Sequence, residues 1–192
     1  MKTLRLFLIA AVTTLSVNFS RATTVIPPSF TELVNEAELI FQGTCTDSKS
    51  EWIGEGAQRH IITNVTFKVE DALKGSPGAS YTIQMLGGTV DGTTMEVSDS
   101  PKFKPGDRDI LFVQHNGEQF IPLVGIMHGR YRIEKDQTTG AEKLMTNGGR
   151  ALGDVKNVGQ DEHAAANGNE KAMAPAEFKA AIRAKLAGRN EP

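Results

Sequence analysis

Ile61, Thr63, Val65, Phe67 and Val69 share one parity, while Asn64, Thr66, Lys68 and Glu70 share the other. A repeat of two sends the first set to one face of an extended strand and the second to the opposite face. No helix keeps such a set on one side, so this stretch commits its part of the chain to a sheet. Leu73-Lys74-Gly75 ends the strand, and Ser76-Pro77-Gly78 supplies turn residues. Its one-sided apolar face needs further strands and a core to cover it.

Those further strands are legible on both sides. Upstream, Leu39, Phe41, Gly43 and Cys45 alternate with Gln42, Thr44 and Thr46, which predicts a strand with one buried face and Cys45 on it. Downstream, Tyr81, Ile83 and Met85 alternate against Thr82 and Gln84, and Gly87-Gly88 breaks or bulges that strand. Asp91-Gly92 between β-prone residues is a two-residue hairpin signal. Pro101 to Asp107 reads as loop. Ile110 to Val113 is apolar at every position, so this strand is predicted to be covered on both faces. Asn116-Gly117 makes another turn, Pro122 demotes the segment after it to an edge or bend, and a last hairpin turns near Thr139-Gly140.

Two helices frame the strands. Ser29-Phe30-Thr31-Glu32 fits a capping box, and Phe30, Leu33, Val34 and Ala37 form one short apolar face behind it. Near the end, Pro175 suits a first helical turn and Gly188 a C-cap, with Phe178, Ile182 and Leu186 spaced by four. Between Gly148 and Ala174, Gly, Asn, Ala and Asp dominate, which predicts a flexible linker and a helix the barrel can do without.

The first 22 residues hold Lys2 and Arg5, a mostly apolar run from Leu4 to Val17 whose one charge is Arg5 and which Thr13, Thr14 and Ser16 dilute, and Ser20-Arg21-Ala22. That is the layout of a secretory signal peptide; a spanning helix needs about 20 apolar residues and fits less well. Removing this segment takes away Lys2, Arg5 and Arg21 and no acid, so the formal charge goes from −2 to −5. A mildly acidic surface argues against a nucleic-acid binder. With the single cysteine Cys45, no internal disulfide is possible, and the core alone must hold the fold. The organisation expected is a signal peptide over 1–22, a β-barrel domain over 23–147, a flexible linker over 148–174 and a C-terminal helix over 175–188. A secreted or periplasmic location with no membrane anchor follows from it.

One short helix and six to eight strands with regular turn signals predict a mainly β fold: a small antiparallel Greek-key barrel of OB type, with a two-sheet sandwich as the alternative. The strings ELVNEAELIFQGTCTDSKSEW, ITNVTFKVEDALKG and PKFKPGDRDILFV resemble a family of uncharacterised bacterial secreted proteins, and also netrin-like and tissue-inhibitor-like OB barrels. The resemblance spans about Phe30 to Lys135 and implies the fold. Tissue-inhibitor-like proteins chelate a protease zinc through an N-terminal cysteine; no residue here matches it, so that role does not carry over.

Catalytic signatures are missing from the sequence. His60, His115, His128 and His163 form no metal-ligand spacing, no serine sits in a nucleophile elbow, and no phosphate-binding loop is present. Asp91, Glu96, Asp99, Asp107 and Asp109 crowd one region without the order of a calcium loop. No catalytic residue, metal or cofactor is therefore expected. The function expected is a non-catalytic binding module for a protein or glycan, with a secreted protease among the possible partners. Trp52, His128, Arg130 and Tyr131 are its candidate binding residues, on Gly-containing loops at the barrel rim. The alternative is a hydrolase or metal-dependent enzyme built on His128 and nearby carboxylates.

Overall fold

A computed structural model describes residues 26–160 and 171–188. The expected signal peptide and His163 lie outside the described residues. Helix α1 spans Phe30–Glu36, β1 Leu39–Ile53, β2 His60–Lys74, β3 Ser80–Leu86, β4 Gly88–Val90, β5 Thr93–Met95, β6 Arg108–Val113, β7 Arg130–Lys135, β8 Glu142–Thr146 and α2 Pro175–Ala187. Six strands form one antiparallel sheet in the order β3-β2-β1-β6-β7-β8, and β4 pairs β5 alone. β1, β2 and β3 are a meander, and β6 returns across it to lie beside β1, which is the Greek-key order. The fold is mainly β, as expected. Among the described residues no helix is long and apolar enough to cross a membrane.

Local chemistry fixes the ends of several elements. Ser29 Oγ accepts from Glu32 N at 3.3 Å and Glu32 Oε2 accepts from Ser29 N at 2.8 Å, so the capping box closes in both directions. Asp91 and Gly92 have φ of 50° and 79°, the left-handed pair that a two-residue hairpin needs.

The sheet is buried on both faces near its middle. On one face Leu33, Val34 and Ala37 of α1 and Phe178 and Ile182 of α2 pack on Ile40, Ile110, Phe112, Tyr131 and Leu144. On the other, Phe41, Cys45, Val65, Phe67, Ile83, Met85, Leu111 and Val113 form an inner cluster with Phe103, Ile121 and Leu123. β6 has side chains in both clusters, which is why Ile110–Val113 is apolar at every position. β1 differs from its one-faced expectation: Ile40 and Gln42 are buried as well.

The outermost strands do not pair with each other, so the sheet itself stays open. The β6–β7 connection covers β3 instead. Phe120 O accepts from Leu86 N at 2.7 Å. The Asn116 side-chain amide accepts from Gln84 N at 3.0 Å and donates to Thr82 O at 2.8 Å, standing in for a strand's main chain. β8 is covered too. Leu144 N donates to Met173 O at 3.1 Å, Leu152 N to Leu144 O at 3.0 Å, and Met173 N to Leu152 O at 2.7 Å.

Those last bonds correct the reading of 148–174 as a flexible linker. In its described parts this span is hydrogen-bonded to β8, and Leu152 and Val158 are buried in the helix-covered core. Its few apolar residues are the ones that pack. The helix after it is no appendage either: Phe178 and Ile182 are fully buried, and Lys179 and Arg183 bond the Asp71 carboxylate of β2 at 2.7–2.9 Å.

A surface ion cluster ties β1, β2, β6 and β8. Glu70 accepts from Arg108 Nε and Nη2, from Gln42 Nε2 and from Thr44 Oγ1, and Arg108 also bonds Glu142. The Arg108 guanidinium above all, with Thr44 and Gln42, pulls the Glu70 carboxyl down to about 2. A depressed carboxyl contributes stability that is complete above its unfolded value and is lost as pH falls towards the folded one. Between about pH 5 and pH 2 the urea midpoint of the wild-type chain should therefore fall more steeply than that of Glu70→Gln. Parallel slopes in that window would mean the cluster does not couple to folding.

Candidate functional site

The four candidate residues do not meet on one rim. Trp52 stands on β1, paired with Ile61, and the Arg59 guanidinium lies 4.4 Å from its ring centre. The expectation of a loop position fails because β1 and β2 each run 15 residues and pair out to Ile53 and His60. His128 is buried in a 3-10 turn over Ile126–Gly129, where the backbone bends at Gly125 with φ of 59° beside Pro28. Arg130 and Tyr131 are also buried, on opposite faces of β7 as neighbours in a strand must be. Tyr131 packs its ring 4.9 Å from Phe178 in the helix-covered core. Neither is a rim anchor.

Arg130 has structural partners. Its Nε donates to Asp109 Oδ1 at 2.8 Å, its Nη2 to Asp107 Oδ2 at 3.1 Å, and its Nη1 to the Lys102 carbonyl at 2.7 Å. The guanidinium also lies 4.2 Å from the centre of the Phe103 ring. Asp109 has no exposure; burial pushes its carboxyl up and the Arg130 charge opposes that. Asp107 and Asp109, two of the carboxylates that crowd this region of the sequence, are both held by Arg130. Cys45, on the same inner face, is 1 % exposed. Burial first, then the Asp107 and Asp109 charges, push its thiol up to about 11, so it is protonated at neutral pH.

One concave feature is a cleft at the end of the inner cluster, between the β1–β2 arm, the Gly87-Gly88 break and the loop leading to Phe103. Its volume is about 160 Å³. Liquid water takes about 30 Å³ per molecule, so this space suits one side chain or a small ligand fragment. Ser48, Ser50 and Thr63 give it hydroxyls, and Val65, Met85, Met95, Val97 and Phe103 give it apolar walls. Ser50 Oγ and Thr63 Oγ1 are 2.8 Å apart, and Thr63 Oγ1 donates to Gly87 O at 2.6 Å. Gly88, with φ of 138°, has no room for a Cβ, which would fall 2.3 Å from Ser50 Oγ and 2.4 Å from Thr63 Oγ1. The glycine pair that the sequence shows as a strand break is thus a close approach of backbone to the hydroxyl floor.

No histidine or carboxylate is among the residues lining this cleft; its ionisable side chain is Lys102, which pairs with Glu96 at 3.0 Å. Among the described residues no group of three His, Cys, Asp or Glu side chains is placed to hold a metal ion. The chemistry offered is recognition: hydroxyl donors and acceptors below, thioether and aromatic walls that adapt to shape around them. Arg130 reaches this site indirectly, because the carbonyl it holds belongs to Lys102, and Lys102 and Phe103 both line the cleft. Sequence reasoning missed the cleft because Ser48 and Ser50 lie beyond the expected end of the first strand and Thr63 read as one member of an apolar strand face. Only the Gly87-Gly88 pair signalled it. Compared with known proteins, the chain matches no family model and no curated protein sequence.

Proposed function

We propose that the chain is an exported, non-catalytic binding module that takes an extended segment of a partner protein along β1, one side chain of which enters the cleft. Export rests on the N-terminal signal pattern. The observation that carries the binding mode is an uncovered strand edge beside the cleft. β6 pairs with β1 only over Leu39–Thr44, and Cys45 bonds Gly106 and Asp107 just beyond. From Asp47 to Ile53 β1 pairs with β2 alone, among the described residues, while the outer edges of β3 and β8 are covered. Ser48 N donates to the Asp47 carboxylate and so points away from β2. Bonding direction alternates along an antiparallel strand, so the amides of Ser50 and Trp52 point outward as well.

A peptide added to such an edge gains affinity from main-chain bonds and specificity from pockets for alternate side chains. Ser48 and Ser50 belong to both the edge and the cleft, so one ligand strand engages both. A glycan is the weaker choice, because Arg59 already covers a face of Trp52. A secreted protease remains a partner of the required kind if it presents an extended segment.

The test is selection of peptides from a random displayed library, followed by amide mapping. Bound peptide should shift the Ser48, Ser50 and Trp52 resonances and slow their hydrogen exchange. Ser48→Pro removes an outward N–H at an edge position, where proline is tolerated, and should weaken binding about tenfold or more with the melting temperature kept. Shifts confined to His115–Phe120, or a library that yields no binder, would overturn the reading.

A further inference from the structure

The uncovered part of β1 runs from Asp47 to Ile53, and its centre is Ser50. Its sequence is self-complementary about that centre. Two copies laid antiparallel with Ser50 opposite Ser50 overlap over the whole free stretch. Ser48 then faces Trp52 of the other copy in both directions, and these are the residues whose amides point outward. Lys49 faces Glu51, again in both directions. All three of Asp47, Lys49 and Glu51 are exposed, so these charges are available at the edge.

Charge selects this register over its neighbours. Bonding parity allows only shifts that keep outward residues opposite outward residues. Centring the pair on Lys49 sets Lys49 against Lys49 and Asp47 against Glu51. Centring it on Glu51 sets Glu51 against Glu51. Like charges directly opposite on a sheet destabilise it, and opposite charges stabilise it. Centring on Ser48 drives the second strand into the Gly106–Asp107 backbone that already bonds Cys45. The register through Ser50 alone has full overlap with two opposite-charge pairs.

We infer that the chain forms a homodimer by pairing β1 with β1 of a second copy about a two-fold axis through Ser50. The two six-stranded sheets join through their arms, and the Trp52 of each copy lies beside Ser48 at the mouth of the other's cleft. The Ser48 amide leaves the Asp47 carboxylate for the partner backbone. Glu51 Oε1 accepts from Asn64 Nδ2 at 2.6 Å and leaves its second oxygen for the partner's lysine. The inference rests on the same free edge as the peptide-strand reading and regulates it: a dimer covers the edge, and a ligand strand must displace the second copy.

Sedimentation velocity of the processed chain over a range of concentrations tests this without any ligand. The wild-type chain should show a reversible monomer–dimer equilibrium. Lys49→Glu and Glu51→Lys each place two like-charge pairs across the axis and should raise the dissociation constant about tenfold or more. The double variant K49E/E51K restores both opposite-charge pairs and should return the constant close to wild type. Ser48→Pro should leave a monomer. A wild-type chain that stays monomeric at the highest soluble concentration overturns the inference, as does a double variant no better than the single ones. A monomeric chain that still binds selected peptides at Ser48–Trp52 sinks the dimer alone. A chain that dimerises through Lys49 and Glu51 but yields no peptide sinks the peptide reading alone.

Discussion

Phe178→Ala should cost about 3–5 kcal/mol of folding stability, the range for emptying a buried aromatic site. The side chain is fully buried. Its ring centre lies 4.9 Å from Tyr131, 5.8 Å from Phe30 and 6.0 Å from Phe112, so it joins α1, α2, β6 and β7. These aromatic contacts add to the loss from area alone. A typical domain of this size has about 5–15 kcal/mol in all, so the variant should lose a large share of it. Equilibrium urea unfolding of wild type and variant measures the difference directly. A cost below about 0.5 kcal/mol, the level of a typical surface change, would show that α2 sits on a complete core and revive the dispensable-helix reading.

That reading shows where sequence reasoning stops. The stripe Phe178, Ile182 and Leu186 declared an apolar face, but periodicity does not name what a face covers. The answer lay in Tyr131, which was expected at the rim, and in Phe112, on a strand expected to be covered on both faces with nothing to say by what. Leu152 and Val158 were passed over for a related reason. They are isolated apolar residues in a Gly- and Asn-rich run, and such a run packs only when its ends are tied down, here by the bonds among Leu144, Leu152 and Met173. By contrast, features set by one or two neighbouring residues were legible: the Ser29–Glu32 box, the Asp91-Gly92 hairpin, and the two-sided burial of Ile110–Val113.

The candidate site was less legible still, because it is made of residues that look unremarkable singly. The outer half of β1 carries Ser and charges, since one face lines a cleft and one edge meets solvent. Polar alternation of that kind reads as loop. It displaced Trp52 from its strand and hid the edge itself. Arg130 was misplaced for the opposite reason. A charged residue beside a glycine turn reads as exposed, and its burial depends on Asp109, 21 positions away and one strand across.

Arg130→Met should therefore be nearly as damaging as the loss of Phe178, by a different route. Removing one partner of a buried ion pair leaves the other charge without compensation, at a cost of about 3–5 kcal/mol. Here Asp109 is fully enclosed and its Arg130 partner is 4 % exposed. Asp107 is less affected, since it also accepts from Lys104 N at 2.9 Å and is partly open to solvent. The second half of the experiment is Arg130→Met with Asp109→Leu. Replacing both charges by apolar groups removes the stranded carboxylate, and such replacements are often neutral or stabilising. The double variant should thus unfold in urea close to wild type, far above Arg130→Met alone. What it cannot restore is the bond from Arg130 Nη1 to the Lys102 carbonyl, which holds the wall of the cleft. A stable double variant should still bind a selected peptide more weakly than wild type, with the changed amides at Lys102 and Phe103. A double variant as unstable as the single one would show that the cost comes from lost packing on Phe103 and not from the buried charge. Wild-type peptide affinity in a stable double variant would free the cleft of any dependence on Arg130.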